Sequence, residues 1–243
     1  MILHLRSALF LIWFAIVSIV MNVGSLPLLL LPPRFTLISA KIWAWLVLFG
    51  LRWGAGLGFE VRGAIPGARS LVAVKHFSTW ETIALLAILP LPAIVMKQSL
   101  LKIPFYGWYS RKMRMIAIDR SAGGKAIRHM YSRAIGALDD GRPIVVFPEG
   151  TRKKPRAPPD YKPGIAALYV QLGIPCVPAT HNSGLFWTGL FLRRPGTIVL
   201  RFLEPIPPGM PRHEFMGLLE SRIEEATNNL LSQTPLDEQL NKE

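Results

Sequence analysis

Cysteine and metal-ligand patterns are scarce in this sequence. Cys176 is the only cysteine among 243 residues, which excludes an intramolecular disulfide and fits a reducing compartment. It lies between Pro175 and Val177 with no adjoining histidine, so we predict a small core residue and not a nucleophile. The five histidines show no ligand spacing such as His-x3-His. The sequence therefore predicts no metal site.

Acidic residues are also few. There are 15 of them against 28 Lys and Arg, which gives a formal net charge of +13 and a pI of about 10.4. The excess lies in residues 97–162, with 15 basic and 5 acidic side chains, whereas residues 204–243 hold 3 and 8. This balance favours an anionic partner, either nucleic acid or anionic lipid. The length and the 51% hydrophobic content allow one domain with a core plus an additional segment.

Charge is missing altogether between Arg6 and Arg34. The intervening residues 7–33 are mostly aliphatic or aromatic, and a helix of about 20 such residues spans a bilayer. Gly24 and Pro27, with two prolines at the end of the run, predict a break in its second half. A secretory signal peptide is the main alternative. The run is longer than such a peptide needs, and it has no clear small-x-small cleavage site.

A second apolar run, residues 42–51, has only ten uncharged residues, which favours an interfacial or re-entrant segment. Trp43, Trp45 and Trp53 suit the headgroup region, where an indole ring is half apolar and half wet. We therefore predict that residues 1–58 form a membrane-associated helical segment, a monotopic or re-entrant helix pair that anchors the protein. The alternative is a buried helical hairpin of a soluble protein.

Beyond residue 58, short apolar strands alternate with helices. This order predicts an α/β domain over residues 59–243, with a largely parallel central sheet flanked by helices. The predicted strands are residues 59–62, 70–75, 93–96, 115–119, 143–147, 174–179 and 197–203, and the predicted helices are residues 79–89, 124–138, 163–172 and 211–232.

His76 and Glu81 are the candidate catalytic pair. His76 leaves a predicted strand just before a predicted helix, which places it at the edge of the sheet where α/β ligand sites cluster. A neutral imidazole can accept a hydroxyl proton, and a carboxylate on its other nitrogen fixes the tautomer. Glu81 is placed for that role. Alternatively, Ser78-x-x-Glu81 is a capping box, with Ser78 as the N-cap of the helix.

The segment at residues 147–152, Phe-Pro-Glu-Gly-Thr-Arg, is typical of an anion-binding turn. Gly150 lets the backbone approach a ligand, Thr151 offers a hydroxyl, and Arg152 can bind a phosphate through two parallel hydrogen bonds. Arg120, at the end of a neighbouring predicted strand, is a second phosphate candidate. It could equally be an ion-pair partner of Asp119 or Glu149. The basic residues after Arg152 are interpreted as a solvated loop that faces anionic headgroups.

Four short blocks together resemble the lysophosphatidate acyltransferase (PlsC-like) family of glycerolipid acyltransferases. The blocks are His76-x4-Glu81, then Lys97, Leu100, Pro104, Gly107 and Ile118-Asp119-Arg120, then residues 147–152, and finally Val177-Pro178, with Lys162-x-Gly164 after the third block. The resemblance covers about residues 60–205. The sequence departs from the family pattern at Glu81, normally Asp, at Ser99, commonly Glu, and at Arg114, often Gly.

The resemblance implies transfer of a fatty acyl chain from acyl-CoA or acyl-carrier protein to the sn-2 hydroxyl of lysophosphatidate, without a covalent enzyme intermediate, in phospholipid biosynthesis. It implies His76 as general base with Glu81, and backbone N–H groups at the start of the following helix as oxyanion donors. The acceptor phosphate would be held by Arg120, Glu149, Gly150, Thr151 and Arg152, with Ser78, Lys97 and Lys162 as further possible site residues. No cofactor is implied beyond the acyl donor.

The implied partners are membrane lipids, and the implied location is the inner (cytoplasmic) membrane with the active site on its cytoplasmic side. Phe105, Tyr106, Trp108 and Tyr109 either line an acyl-chain groove or pack the core. A nucleic-acid binder would leave the uncharged residues 7–33 unexplained and is not expected. Two alternatives remain: an acyltransferase for another lysolipid, such as a lyso-ornithine lipid, and an inactive lipid-binding relative.

Overall fold

Two long apolar helices precede the sheet. The computed structural model describes residues 1–234, beginning with α1 (Ile2–Gly24) and α2 (Pro33–Gly50), which a 3-10 turn at Leu26–Leu30 connects. Proline occupies the first turn of both Leu26–Leu30 and α2, where its missing N–H leaves no helical hydrogen bond unmade. Both α1 and α2 are long and apolar enough to cross a membrane.

The second helix is longer than the ten-residue run predicted. A π-helical turn, Leu51–Ala55, extends α2, so the helical stretch covers 23 residues although basic side chains lie within it. Lys41 is accommodated because its Nζ donates a 3.0 Å hydrogen bond to the carbonyl oxygen of Leu89, at the carboxyl end of a neighbouring helix. Because the Lys41 charge is hydrogen-bonded to the Leu89 carbonyl, the helix continues past it. The sequence alone does not show that Leu89 lies near Lys41.

The central sheet has seven strands in the order β1-β9-β6-β2-β5-β3-β4. Every neighbouring pair is parallel except β6 and β9, so the predicted, largely parallel sheet is confirmed. The strands are β1 (Leu57–Arg62), β2 (Leu71–Val74), β3 (Ala93–Lys97), β4 (Ile116–Ile118), β5 (Ile144–Val146), β6 (Cys176–His181) and β9 (Gly196–Phe202), and β7 (Trp187–Thr188) pairs with β8 (Leu192–Arg193) in a separate hairpin.

Helices cover both faces of the sheet, and alternate residues of β2 show the division. Val72 and Val74 pack in a core shared with α1 and α2, whereas Leu71 and Ala73 pack in the core on the other face. The remaining helices are α3 (Trp80–Ile88), α4 (Tyr106–Lys112), α5 (Gly124–Asp139), α6 (Gly164–Leu172), α7 (Ser183–Phe186) and α8 (Arg212–Ser232). The apolar helices therefore pack directly on the α/β layer, and the division of the chain at residue 58 stays a prediction.

The β7–β8 hairpin and the short helices α4 and α7 were not predicted from the sequence, and α7 has only four residues. The strands of the β7–β8 hairpin are two residues each, too short to show an alternating pattern. α4 follows Phe105, which adopts a positive φ of 59°. A seven-residue helix after such a turn gives no periodic signal of its own.

Candidate active site

His76 lies one residue beyond the pairing of the central strand. The N–H of Lys75 still donates to the carbonyl of Ala179 in β6 (3.0 Å), and the chain then turns into α3. β2 is flanked by β5 and β6, so His76 emerges at the carboxyl edge of the middle of a parallel sheet. This is the position at which open α/β sheets place their ligands.

Glu81 reaches His76. Its Oε1 lies 2.8 Å from Nδ1 of His76 and also accepts the backbone N–H groups of Phe77 (2.8 Å) and Ser78 (2.7 Å). The helix begins one residue later than the capping box predicted, with Thr79 as N-cap, while Oγ of Ser78 accepts the N–H of Trp80 at 3.1 Å. One carboxylate thus both orients the imidazole and holds the turn before α3, so the two interpretations are compatible.

Glu81 is fully buried and ionised. Oγ of Ser78 (2.7 Å) and of Ser183 (3.2 Å) donate to its Oε2, and Nε2 of His181 lies 3.8 Å away. Burial alone would raise the pKa of Glu81, but the electrostatic effect of His181 and the hydrogen bonds from His76 and Ser78 lower it to about 2. Burial also lowers the pKa of His181 and keeps that ring neutral, so we ascribe the ionised state chiefly to the hydrogen bonds.

An ionised carboxylate only accepts hydrogen bonds, so Nδ1 of His76 must carry the proton. In the neutral tautomer Nε2 holds the lone pair, and within residues 1–234 it has no hydrogen-bond partner. The ring stacks on Phe147, with centroids 4.2 Å apart and planes inclined by 21°. The backbone is fixed as well: the N–H of His76 donates to Oε2 of Glu149 (2.9 Å), and its carbonyl accepts the N–H of Lys153 (2.9 Å).

Glu149 therefore lies beneath the predicted phosphate site instead of facing it. Its side chain is fully buried, and its other oxygen, Oε1, is 2.9 Å from Nζ of Lys75. A carboxylate would repel a phosphate in any case. Its geometry suits a role in joining the turn at residues 147–152 to the backbone of His76.

Lys75 and Glu224 complete this network, and sequence reasoning missed both. Nζ of Lys75, itself buried, lies 2.5 Å from Oε1 of Glu224 in α8, and the hydroxyl of Tyr161 donates to the same oxygen at 2.9 Å. Burial raises the pKa of Tyr161 and keeps it a donor. The one available signal was a lysine at the end of a strand that is otherwise wholly apolar. The sequence separation of 149 between Lys75 and Glu224 hides the pairing.

The predicted cations gather at the same edge of the sheet. Lys97 ends β3, Arg120 follows β4, and Arg152 follows β5, so three neighbouring parallel strands deliver them. Gly150 has a φ of +67°, and a Cβ placed there would lie 3.7 Å from both Cζ of Arg120 and Cγ of Lys162. Arg120 and Lys162 therefore flank the glycine backbone.

Arg120 and Lys162 differ in whether they form an ion pair with a carboxylate. The Asp119 carboxylate accepts from the N–H and hydroxyl of Ser121, and Glu149 is paired with Lys75, so neither alternative partner of Arg120 is engaged with it in the described part of the chain. Nζ of Lys162 lies 2.6 Å from Asp160. Arg120, Thr151 and Arg152 are solvent-exposed. These groups can receive an anion with no buried partner to displace.

A mainly apolar cavity of about 260 Å³ lies among α1, α2, α3 and α4. Phe105, Tyr106 and Tyr109 line it, whereas Trp108 is exposed and packs on Phe105, with ring centroids 5.1 Å apart. Burial raises the pKa of Tyr106, while a hydrogen bond with Ser110 and the charge of Arg152 oppose that shift, so this residue of the cavity wall lies within electrostatic range of the anion-binding turn. Over residues 1–234, His, Cys, Asp and Glu form no group of three or more that could hold a metal ion.

A histidine hydrogen-bonded to a buried carboxylate of lowered pKa, at the mouth of a parallel sheet and beside exposed cations, marks a candidate catalytic site. Residues 58–182 match the model of the Acyltransferase family, and because the match covers just over half of the chain, the protein belongs to that family. The family membership inferred from the four blocks is confirmed.

Individual relatives have acyltransferase names, and one solved structure shows the same fold. A 1-acyl-sn-glycerol-3-phosphate acyltransferase of Pseudomonas aeruginosa is 37% identical over 147 residues, covering 59% of this chain and 57% of the relative. The alpha form of the enzyme of that name from Bos taurus is 29% identical over 73% of this chain and 64% of its own length. The crystal structure of the 1-acyl-sn-glycerophosphate acyltransferase from Thermotoga maritima, 22% identical, superposes with a TM-score of 0.76 over 94% of this chain and 98% of that one.

Proposed function

We propose that the protein transfers a fatty acyl chain from acyl-CoA or acyl-carrier protein to the sn-2 hydroxyl of lysophosphatidate, forming phosphatidate for phospholipid synthesis. The observation that carries the proposal is the 2.8 Å contact between Nδ1 of His76 and Glu81, next to cations delivered by neighbouring strands. The names of the relatives support the choice of acceptor.

In the proposed reaction, Nε2 of His76 takes the proton of the acceptor hydroxyl as its oxygen attacks the thioester carbonyl. The tetrahedral intermediate collapses by breaking the carbon–sulfur bond, and the imidazolium returns the proton to the thiolate that leaves. Glu81 stabilises the imidazolium through Nδ1 and keeps the ring in the productive tautomer. The ester forms in one displacement, so no group of the protein is acylated.

Oxyanion donors at the start of α3 are fewer than the sequence predicted. The N–H groups of Phe77, Ser78 and Trp80 are already bonded to Glu81 and to Oγ of Ser78. Within the described residues, the N–H of Thr79 has no acceptor, and we assign it to the oxyanion.

The acceptor phosphate is assigned to Arg120, Arg152, Thr151 and the backbone at Gly150. Lys162, which flanks Gly150, and Lys97, at the same edge of the sheet, would add positive charge. Glu149 serves by positioning this turn against His76. The apolar cavity beside Tyr106 is assigned to the acyl chain, which needs an apolar surface that ends near the reacting carbonyl.

Membrane attachment follows from the surfaces of α1 and α2. Ile2, Leu5, Leu9, Ile12, Ile16 and Ile19 form an exposed stripe along α1, and Ile38, Ile42, Trp45, Phe49 and Trp53 form one along α2 and its extension. Both stripes follow the spacing of one helix face. The apolar stripes would keep the site at the surface in which a lysolipid dissolves, and we assign that surface to the cytoplasmic side of the inner membrane.

The test is product formation by purified protein in detergent. Lysophosphatidate and a phosphate-free lysolipid are each offered with acyl-CoA and with acyl-carrier protein, and the product is identified by mass spectrometry. We expect phosphatidate from the wild-type protein and none above background from His76→Ala. Equal product from His76→Ala would refute the mechanism, product from the phosphate-free lysolipid alone would indicate another acceptor, and no product in any arm would indicate an inactive lipid-binding protein.

A further inference from the structure

The tip of the β7–β8 hairpin exposes two large apolar side chains. Leu190 is 79% exposed and Phe191 is 73% exposed, next to Gly189 with a φ of +64°. A hairpin tip in water is normally polar, because turn residues must be solvated. Leu and Phe in these positions need a different surrounding.

The turn satisfies its own carbonyl groups. Nη1 of Arg193 donates to the carbonyl oxygens of Gly189 (3.3 Å) and Leu192 (2.8 Å), and Nη2 donates to that of Leu190 (3.0 Å). Arg193 is only 4% exposed, and its guanidinium carbon lies 3.8 Å from the centroid of the Trp187 ring. A surface arginine would ordinarily extend into water. This one turns inward, so three carbonyl groups of the hairpin are bonded without water.

The hairpin is fixed to the first apolar helix. The N–H of Arg193 donates to Oγ of Ser7 (3.0 Å), and the Ser7 hydroxyl donates to the carbonyl of Arg193. At the hairpin base, a Cβ at Gly56 would lie 3.4 Å from both Nη1 of Arg6 and Cβ of Pro195. The hairpin therefore has the exposed cation Arg6 at its base and apolar side chains at its tip. This order matches a bilayer, in which the anionic headgroups lie outside the acyl chains.

We propose that Leu190 and Phe191 insert into the lipid surface that α1 contacts, so that the hairpin is a second membrane contact and orients the α/β layer on the bilayer. The three carbonyl groups held by Arg193 favour this insertion, because a backbone group left unpaired is costly to move into the apolar region. The proposal does not depend on the reaction assigned above.

The experiment places a fluorescent probe at the tip. Cys176 is fully buried and its pKa is raised by burial, so a new surface cysteine can be labelled selectively. Phe191→Cys in the full-length chain carries an environment-sensitive fluorophore, and Asn229→Cys, on the exposed face of α8, is the matched control. Both are bound to vesicles of phosphatidylethanolamine and phosphatidylglycerol, with and without spin-labelled acyl chains.

We expect the probe at position 191 to shift to shorter wavelength on vesicles and to lose emission to the spin labels, while the probe at position 229 does neither. Co-flotation of both proteins shows that they are bound. If position 191 responds like position 229 on bound protein, the proposal is wrong. It is equally wrong if the probe at position 191 is shielded only when acyl-carrier protein is added, because the hairpin would then be a protein contact.

Discussion

The two sides of the candidate site differ in how their charges are satisfied. Below His76, the carboxylates of Glu81 and Glu149 and the amine of Lys75 are buried, and each has partners within 3 Å. Above it, Arg120 and Arg152 are exposed, and no ion pair occupies them in the described residues. The buried, paired side fixes the position of His76, and the exposed side has cations that can bind an anion. Substitutions on the two sides should therefore fail in different ways.

The largest effect is expected for Lys75→Met. The substitution leaves the fully buried Glu149 and the partly exposed Glu224 without their cation, so we expect a loss of about 3–5 kcal/mol in the free energy of unfolding, most of it from Glu149. Chemical denaturation monitored by circular dichroism measures it. Lys153→Met is the matched control: it breaks the more exposed pair with Asp160, which should cost about 1 kcal/mol or less. Equal losses in the two variants would contradict the division between the two sides.

Glu81→Gln separates orientation from capping. The amide retains an oxygen for the N–H groups of Phe77 and Ser78, but the charge that stabilises the imidazolium is lost. We expect kcat to fall about 10²–10³-fold, within the range typical of general-base catalysis, together with the loss of stability at neutral pH that follows from removing a buried charge of low pKa. Turnover and thermal unfolding, measured on the same preparation, test this. Near-normal kcat would show that Glu81 only caps α3.

Acid should unfold the protein partly through Glu81. The pKa of this group is about 2 in the folded protein and about 4.5 when free, so its contribution is present above pH 4.5 and is lost as the pH falls toward 2. That difference corresponds to roughly 3 kcal/mol. Unfolding free energies of wild type and Glu81→Gln, measured between pH 2 and pH 5, should converge at the acid end. A constant gap would contradict the low pKa.

The smallest effect is expected on the exposed side. Arg152→Gln removes one charge from the phosphate site, so we expect KM for lysophosphatidate to rise about 10-fold, as for a lost hydrogen bond to a charged group of about 1.5–3 kcal/mol. Unfolding should be unchanged. The phosphate-free lysolipid is the internal control, since its kinetics should not respond. A parallel loss with both acceptors would place Arg152 in the supporting structure.

The sequence could predict contacts between residues that are close along the chain, but not contacts between residues that are far apart in sequence. His76 and Glu81 are five residues apart, and the anion-binding turn is contiguous, so local patterns identified both. Lys75 and Glu224, and likewise Lys41 and the carbonyl of Leu89, meet only after the sheet and helices have packed. Glu149 belonged to a recognisable turn, yet the direction of its side chain depends on Lys75, and no local pattern carries that information.

The link from Glu224 to Lys75 also sets an order of events during synthesis. Chains fold from the amino terminus as they are made. The apolar helices α1 and α2 emerge first and can meet the membrane while α8 is still missing. The lysine behind the base gains its second carboxylate only when α8 arrives and packs. Under the function proposed above, the protein would therefore meet its lipid before the network of charges behind His76 is complete.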